Sequence, residues 1–268
     1  MSESAKSSAG RPLNGRRIVI TRAREQAGEL REKLAALGAT VVELPLIEIV
    51  SEVDAATADE VFGEIASYEW LVFTSANGVR HFFGEFFRRF RDIRAIGGAR
   101  IAAVGPGTAK ELAALHLEVD VMPKEHVGEA LVEALCDYQS VEHVKMLVVT
   151  GDRNRDVVMQ GLLDRQAIVD QLPVYGTEAT EVGGTDAAAD FRQHGADAVL
   201  FASGSAVESF VQQASTLALR QGAQRPLTGS MGPVTSAALR KVGVPVDFEA
   251  AAATVDGLVA AVVKKFST

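Results

Sequence analysis

The sequence predicts an α/β protein of two lobes, each built on a parallel sheet and related to the other by internal duplication. Three observations carry this. Short apolar runs alternate with helical patterns, the mark of parallel sheets covered by helices on both faces. Segments of the first half recur in the second at an offset of about 128 residues. The length, 268 residues, suits about two domains.

The elements follow in order. Residues 1–15 form a polar leader that is expected to be disordered. Ile18–Ile20 is a buried strand, and after it Leu30, Leu34 and Leu37 recur at helical spacing, with Gly38 as the stop. A second strand is Val41–Leu44, and Trp70–Phe73 is another. Val79, Phe82, Phe83, Phe86, Phe87 and Phe90 then share one face of an amphipathic helix. Ile101–Val104 is a strand, with a helix from about Thr108.

The second half repeats this plan. The segment IVITRAREQAGELREKLAALGATVVELPLIEI, from Ile18, matches LVVTGDRNRDVVMQGLLDRQAIVDQLPVYGTE, from Leu147. WLVFTSANGVRHFF matches AVLFASGSAVESFV, AVGPGTAKELAAL matches SMGPVTSAALRKV, and HVGEALVEAL matches TVDGLVAAVV. Thr21 pairs with Thr150, Pro45 with Pro173, Phe73 with Phe201, Pro106 with Pro233 and Val127 with Val255, at a nearly constant shift. No Pro/Gly/Ser-rich linker lies near residue 143. Regularity breaks instead at LPLIEI (44–49) and LPVYGT (172–177), where Pro45 and Pro173 argue against central strands. These two matched segments can serve as antiparallel crossings between lobes.

Composition excludes several classes. Apolar residues at 47% and charged residues at 23% are ordinary globular usage, which rules out wholesale disorder. No run approaches the ~18 apolar residues of a membrane span, and MSESAKSSAGRPLNG lacks a signal-peptide core. A soluble, cytoplasmic protein is the expectation. Cys136 is the single cysteine, so no intrachain disulfide can form, and its context EALCDY reads as a packed helix face rather than a nucleophile. The histidines, at 81, 116, 126, 143 and 194, make no HxH or HxxxH pair, which argues against zinc. A net charge of −8 without a long Lys/Arg run argues against nucleic-acid binding.

The chemistry is expected at strand ends. In open parallel sheets ligands gather outside the carboxyl ends of strands, on helix N-termini. There the chain carries Thr21-Arg22, Thr74-Ser75-Ala76-Asn77-Gly78, Gly105-Pro106-Gly107-Thr108, Thr150-Gly151-Asp152-Arg153, Ser203-Gly204-Ser205 and Gly232-Pro233-Val234-Thr235. Each set can present N–H groups and a hydroxyl to an anion. Each can equally be a helix cap, a role open to Ser75, Thr108 and Ser203. The recurrence of such loops favours an anion-lined cleft. Arg22, Arg24, Arg153 and Arg155 stand just past matched strand ends, either as receptors for carboxylates or as solvated surface charge. GPGTAK lacks the third glycine of a dinucleotide fingerprint, and neither a Walker lysine motif nor G-x-S-x-G is present. Tyr175, in a proline-containing crossing segment, can offer a phenol to the cleft or simply pack.

Together, ITRAREQAGEL…LGATVVELPLIEI, FTSANGV, AVGPGTAKEL, LPVYGTE, FASGSAV and GPVTSAALRKVGVP resemble the uroporphyrinogen-III synthase family from about Arg17 to Phe266. The resemblance implies two α/β lobes joined by a two-stranded antiparallel ladder, with lobe one at about 16–46 plus 176–268 and lobe two at about 50–172. It implies cyclisation of hydroxymethylbilane with inversion of the fourth ring, with no cofactor. It makes Tyr175, in the family's V-Y-x-T pattern, the catalytic candidate. Arg22, Thr74, Ser75, Asn77, Thr108, Arg153, Ser203, Ser205 and Thr235 are the substrate-binding candidates, with Val234 replacing one hydroxyl of the family's G-P-T-T loop. A monomer is expected, without nucleic-acid or membrane partners. The opening RPLNGRRIVITRAREQAGEL also resembles the junction where this domain follows a uroporphyrinogen methyltransferase in fused proteins. That points to a functional link with hydroxymethylbilane synthase and with a separate methyltransferase. A non-catalytic binding or regulatory protein of the same fold is the alternative reading.

Overall fold

The computed structural model describes residues 11–152 and 157–267. In chain order the elements begin β1 (Arg17–Ile20), α1 (Arg24–Ala36), β2 (Thr40–Glu43), β3 (Ile47–Ser51), α2 (Ala55–Gly63), β4 (Trp70–Phe73), α3 (Ala76–Arg89), β5 (Arg100–Ala103), α4 (Pro106–Ala114) and α5 (Gly128–Tyr138). They continue β6 (Lys145–Gly151), α6 (Val157–Leu163), β7 (Ile168–Ala179), α7 (Asp186–His194), β8 (Ala198–Phe201), α8 (Gly204–Gln212), β9 (Leu227–Ser230), α9 (Pro233–Lys241), β10 (Phe248–Glu249) and α10 (Val255–Phe266). The chain divides into two compact units, one formed by residues up to 48 together with those from 178 on, the other by residues 49–177.

The first unit holds a sheet in the order β10-β9-β8-β1-β2, and every pairing in it is parallel. β1 is an interior strand, between β8 and β2, and Ile18, Val19 and Ile20 are all buried, as a strand covered on both faces requires. Its register sets Ile18 against Ala198 on one side and Val41 on the other. Leu30 and Leu34 of α1 and Leu258 and Val262 of α10 close one face of this core. α10 starts at Thr254, whose side chain accepts the Gly257 N–H at 3.0 Å. Thr254→Ala is expected to cost about 1 kcal/mol, the usual worth of such a cap, read as a lower urea midpoint at unchanged slope.

The second unit holds a sheet in the order β3-β7-β6-β4-β5. β4 is buried at all four positions, and β6 and β5 flank it in parallel. Phe73, Phe82, Phe83 and Phe86 pack on one face with Phe62, with Phe73 and Phe82 meeting edge to face at 5.4 Å. On the other face lie Trp70, Leu131, Leu135 and Met146, with Cys136 packed against them. The phenylalanine stripe is not all core: Phe87 lies 45% exposed, at the margin of the α3 face.

The duplication is therefore visible as two sheets of one plan, and the copies exchange parts. β1 and β2, from the first copy, lie beside β8 and β9 of the second, while β6 and β7 of the second copy lie beside β4 and β5 of the first. Within each unit the second strand of the βαβ (β2 or β7) flanks the first (β1 or β6), and the matched later strands extend the other way, with β3 added outside β7 in the second unit. This is the flavodoxin-type order, with its topological switch point between β1 and β8 in one unit and between β6 and β4 in the other.

Three expectations need correction. Residues 11–15 do not belong to a disordered leader: Leu13 is fully buried in the first unit's core and its N–H donates to the Leu37 carbonyl at 3.0 Å. The turn at Gly38 (φ +96°) lies so close beneath them that a Cβ there would stand 3.0 Å from the Asn14 Cα. Residues 1–10 lie outside the described residues. Pro173 does not exclude a strand, because β7 runs through it. It sits where the register with β6 shifts, Thr150 facing Pro173 and Gly151 facing Tyr175, and such an irregularity accommodates a residue without an N–H. Finally, α4 begins at Pro106 rather than near Thr108, since proline suits the first turn, where the N–H has no partner anyway.

Candidate functional site

In the second unit the strand ends at the switch point converge on Tyr175. β4 ends into Thr74 and Ser75, and Ser75 caps α3 by accepting the Gly78 N–H at 2.9 Å. The Thr74 hydroxyl donates to the Val149 carbonyl of β6 at 3.0 Å, which binds the β4 end to its neighbour across the switch point. β6 ends at Gly151, and beyond the register shift the Asp152 N–H donates to the Tyr175 carbonyl at 2.9 Å. The phenol of Tyr175 thereby comes to lie 3.1 Å from the Ser75 Oγ and directly against Gly151, where a Cβ would be 2.5 Å from the Tyr175 Cζ. The His81 imidazole, in the second turn of α3, stacks on the phenol ring at 5.7 Å between centroids and 30° between planes.

The electrostatics suit a proton donor. Burial pushes the Tyr175 phenol above its ordinary pKa; the Ser75 hydrogen bond opposes this, and the negative Asp152 adds to it. The phenol is therefore protonated throughout the neutral range. Ser75 accepts from Gly78, so its own proton can go to the Tyr175 oxygen, leaving the phenol proton free for a ligand. Burial, then the charge of Arg80, pulls the His81 imidazole below its ordinary pKa, so the ring beside the phenol is neutral at pH 7.

The first unit's switch point is built from the same kinds of residue without a phenol. The Thr21 hydroxyl, following β1, donates to the Leu200 carbonyl of β8 at 2.9 Å. Ser203 caps α8 by accepting the Ala206 N–H at 3.2 Å, and Ser205 lies half-buried in the first turn. Arg22 is half-buried, with its guanidinium donating to Gln26 at 3.2 Å. β9 leads into α9 through Gly232 and Pro233, and beneath that loop the fully buried Ser236 joins Ser230 and the carboxylate of Glu249.

The sequence-derived candidates thus separate by unit. Thr74, Ser75, Asn77 and Tyr175 share the second unit, with Asn77 half-buried in the first turn of α3 and accepting from Arg80 at 3.2 Å. Arg22, Ser203, Ser205 and Thr235 belong to the first. Thr108 and Thr235 are 4% and 5% exposed in the first turns of α4 and α9, so their side chains are packed rather than open. Arg153 and Arg155 lie outside the described residues. His81 and Gly151 are the residues that motif reading passes over as site formers. His81 carried a signal, since it lies three residues after Gly78 and four after Asn77, on the helix face that starts at the site. Gly151 matters for close approach and not for any sequence pattern.

Comparison with known proteins agrees with this architecture. A family model described as uroporphyrinogen-III synthase HemD matches residues 28–260. A curated uroporphyrinogen-III synthase from Synechococcus elongatus is 33% identical over 262 residues, covering 95% of this chain and 97% of that one. The fold resembles that of a crystallised mutant uroporphyrinogen III synthase from the extremely thermophilic bacterium Thermus thermophilus, with a TM-score of 0.61 at 17% identity over 93% of this chain and 98% of that one. It also resembles uroporphyrinogen-III synthetase from Helicobacter pylori, with a TM-score of 0.57 at 16% identity over 91% and 97%. Among the described residues no helix is long and apolar enough to cross a membrane. With the family model spanning most of the chain and a relative of this identity matched nearly end to end, the chain belongs to the uroporphyrinogen-III synthase family, enzymes of the lyase class in porphyrin biosynthesis.

Proposed function

We propose that this chain cyclises hydroxymethylbilane to uroporphyrinogen III, inverting the fourth pyrrole ring, and that Tyr175 assists the first step. The observation that carries the assignment of the step is the protonated phenol held at the carboxyl ends of β6 and β4, its oxygen against Ser75. The first pyrrole's nitrogen lone pair expels the hydroxyl group, which takes the phenol proton and leaves as water. The substituted carbon of the fourth ring attacks the resulting azafulvene to give a spiro intermediate, which fragments and recombines. The proton lost when the last pyrrole regains aromaticity restores the phenol, so protons balance over the cycle. The protein's remaining task is positioning, since unassisted closure gives the non-inverted isomer.

The substrate is a polycarboxylate, and the strand-end loops of each unit supply N–H groups and hydroxyls that suit its carboxylates. Arg22, Asn77, Ser203 and Ser205 are the proposed contacts, with Thr74 and Ser75 beside the phenol. Arg153 joins them from the sequence pattern, and Thr108 and Thr235 act by shaping their helix starts. The same chemistry links the protein to hydroxymethylbilane synthase, which supplies the substrate, and to a uroporphyrinogen methyltransferase, which consumes the product.

Incubation with enzymically generated hydroxymethylbilane, with products resolved by isomer, tests the assignment. The inverted isomer is expected to dominate. Only the non-inverted isomer, formed at the spontaneous rate, would leave a binding protein of the same fold. Distributed binding makes a second expectation. Ser203→Ala removes one neutral hydrogen bond, worth about 0.5–1.5 kcal/mol, so KM should rise by no more than about tenfold with kcat nearly unchanged. Initial rates across substrate concentration check this.

A further inference from the structure

We infer that His81 is a positioning residue that holds the Tyr175 phenol in its reactive orientation. The inference rests on the reading of Tyr175 as proton donor. A phenol on a strand turns about two side-chain bonds, and its oxygen describes a wide arc unless the ring is held. Here the ring has three supports: the Ser75 Oγ at its oxygen, the Gly151 backbone beneath it, and the His81 imidazole stacked upon it. Two of the three come from one helix. Ser75 caps α3 and His81 stands in its second turn, so the hydroxyl that meets the phenol oxygen and the ring that meets the phenol face move as one rigid body.

The stack differs from incidental core packing. Both partners are only half-buried, at the open end of the sheet, whereas Phe82, Phe83 and Phe86 of α3 point into the core. Tyr175 packs at the margin of that core and His81 lies outside it, and the two rings stack at a distance where aromatic pairs attract. Burial, then the charge of Arg80, pulls the imidazole below its ordinary pKa against the opposing charge of Glu85, so the ring is neutral at pH 7 and the stack adds no positive charge that would favour the phenolate. His81 itself takes no proton in the cycle.

Four enzymes made side by side test this: His81→Ala, His81→Phe, Tyr175→Phe, and His81→Ala combined with Tyr175→Phe. Formation of the inverted isomer gives kcat and KM, and thermal unfolding shows that each is folded. His81→Ala is expected to lower kcat about tenfold, within the range that loss of orientation produces, with KM within about twofold. His81→Phe, which keeps a flat ring in place, is expected to recover most of that rate. On the Tyr175→Phe background His81→Ala should cost little more, because the oriented group is already gone. An unchanged kcat in His81→Ala, an equal loss in His81→Phe, or full additivity with Tyr175→Phe would each overturn the positioning role. If Tyr175→Phe alone kept full activity, the donor reading would fall, and the inference with it. Loss in Tyr175→Phe without loss in His81→Ala would remove only the positioning role.

Discussion

Tyr175→Phe is expected to slow formation of the inverted isomer by roughly 10²-fold, the low end of what a positioned acid contributes. The low end applies because the leaving hydroxyl is also driven out by the lone pair of its own pyrrole, so the barrier does not rest on one acid. The loss should fall on kcat, since the phenol proton is transferred in the transition state while a ring of the same shape remains to fill the space. Folding should be nearly unaffected, because among the described residues the phenol oxygen bonds Ser75, whose own capping bond to Gly78 survives. The pH dependence has a definite sign. A donor works while protonated, that is, below its pKa, and burial moves the Tyr175 pKa upward. The wild-type rate should therefore show no alkaline decline owed to this group until pH exceeds about 10, the ordinary phenol value. Initial rates with the spontaneous isomer subtracted, taken across pH, decide the matter. An unchanged rate and isomer ratio in Tyr175→Phe would remove the phenol from the mechanism.

Gly151→Ala is expected to approach that loss, although it touches no hydroxyl. The added methyl would stand 2.5 Å from the Tyr175 Cζ and 2.8 Å from its oxygen, far inside contact distance. The conflict lies with a ring and not with the backbone angles, as Gly151, at the register shift that ends β6, does not have a left-handed φ. The phenol must therefore swing away from Ser75, and a displacement on the order of 1 Å at a reacting group can cost about 10²-fold. Because the effect passes through Tyr175, Gly151→Ala on the Tyr175→Phe background should reduce kcat little further. Independent, multiplying losses would show that Gly151 acts on something other than the phenol. Circular dichroism and an unfolding midpoint separate this outcome from simple destabilisation.

The sequence by itself determined the local elements and their repetition. Burial faces are written as spacing, so the apolar run Trp70–Phe73 and the stripe through Phe82, Phe83 and Phe86 identify β4 and α3 without reference to the rest of the chain. Capping is equally local, and Ser75 and Ser203 declare their helices through bonds to N–H groups three residues on. The duplication is a matter of comparing the chain with itself, and the matched strands β2-β1-β8-β9 and β7-β6-β4-β5 take one order because matched segments bury the same faces. Much of the candidate site was legible in the same way, as small polar residues following apolar runs.

What the tertiary structure alone decided is pairing across long separations. A strand's alternation says which residues are buried but not which strand lies beside it, so the placing of β1 against β8 depends on hydrogen bonds between residues about 180 apart. Leu13 looks like one apolar residue in a polar leader, and only the assembled core of the first unit supplies the surface that buries it. Pro173 argues for a break by its missing N–H, and the register shift that tolerates it belongs to the pair of strands, not to either one. Thr108 and Thr235 have the right chemistry for a ligand, yet packing of their helix starts closes them off. Most plainly, the meeting of Ser75, His81, Gly151 and Tyr175 joins the start of α3 and the ends of β4 and β6 to a residue within β7. No local pattern can express it, because the contact exists only once the sheet has set those ends side by side.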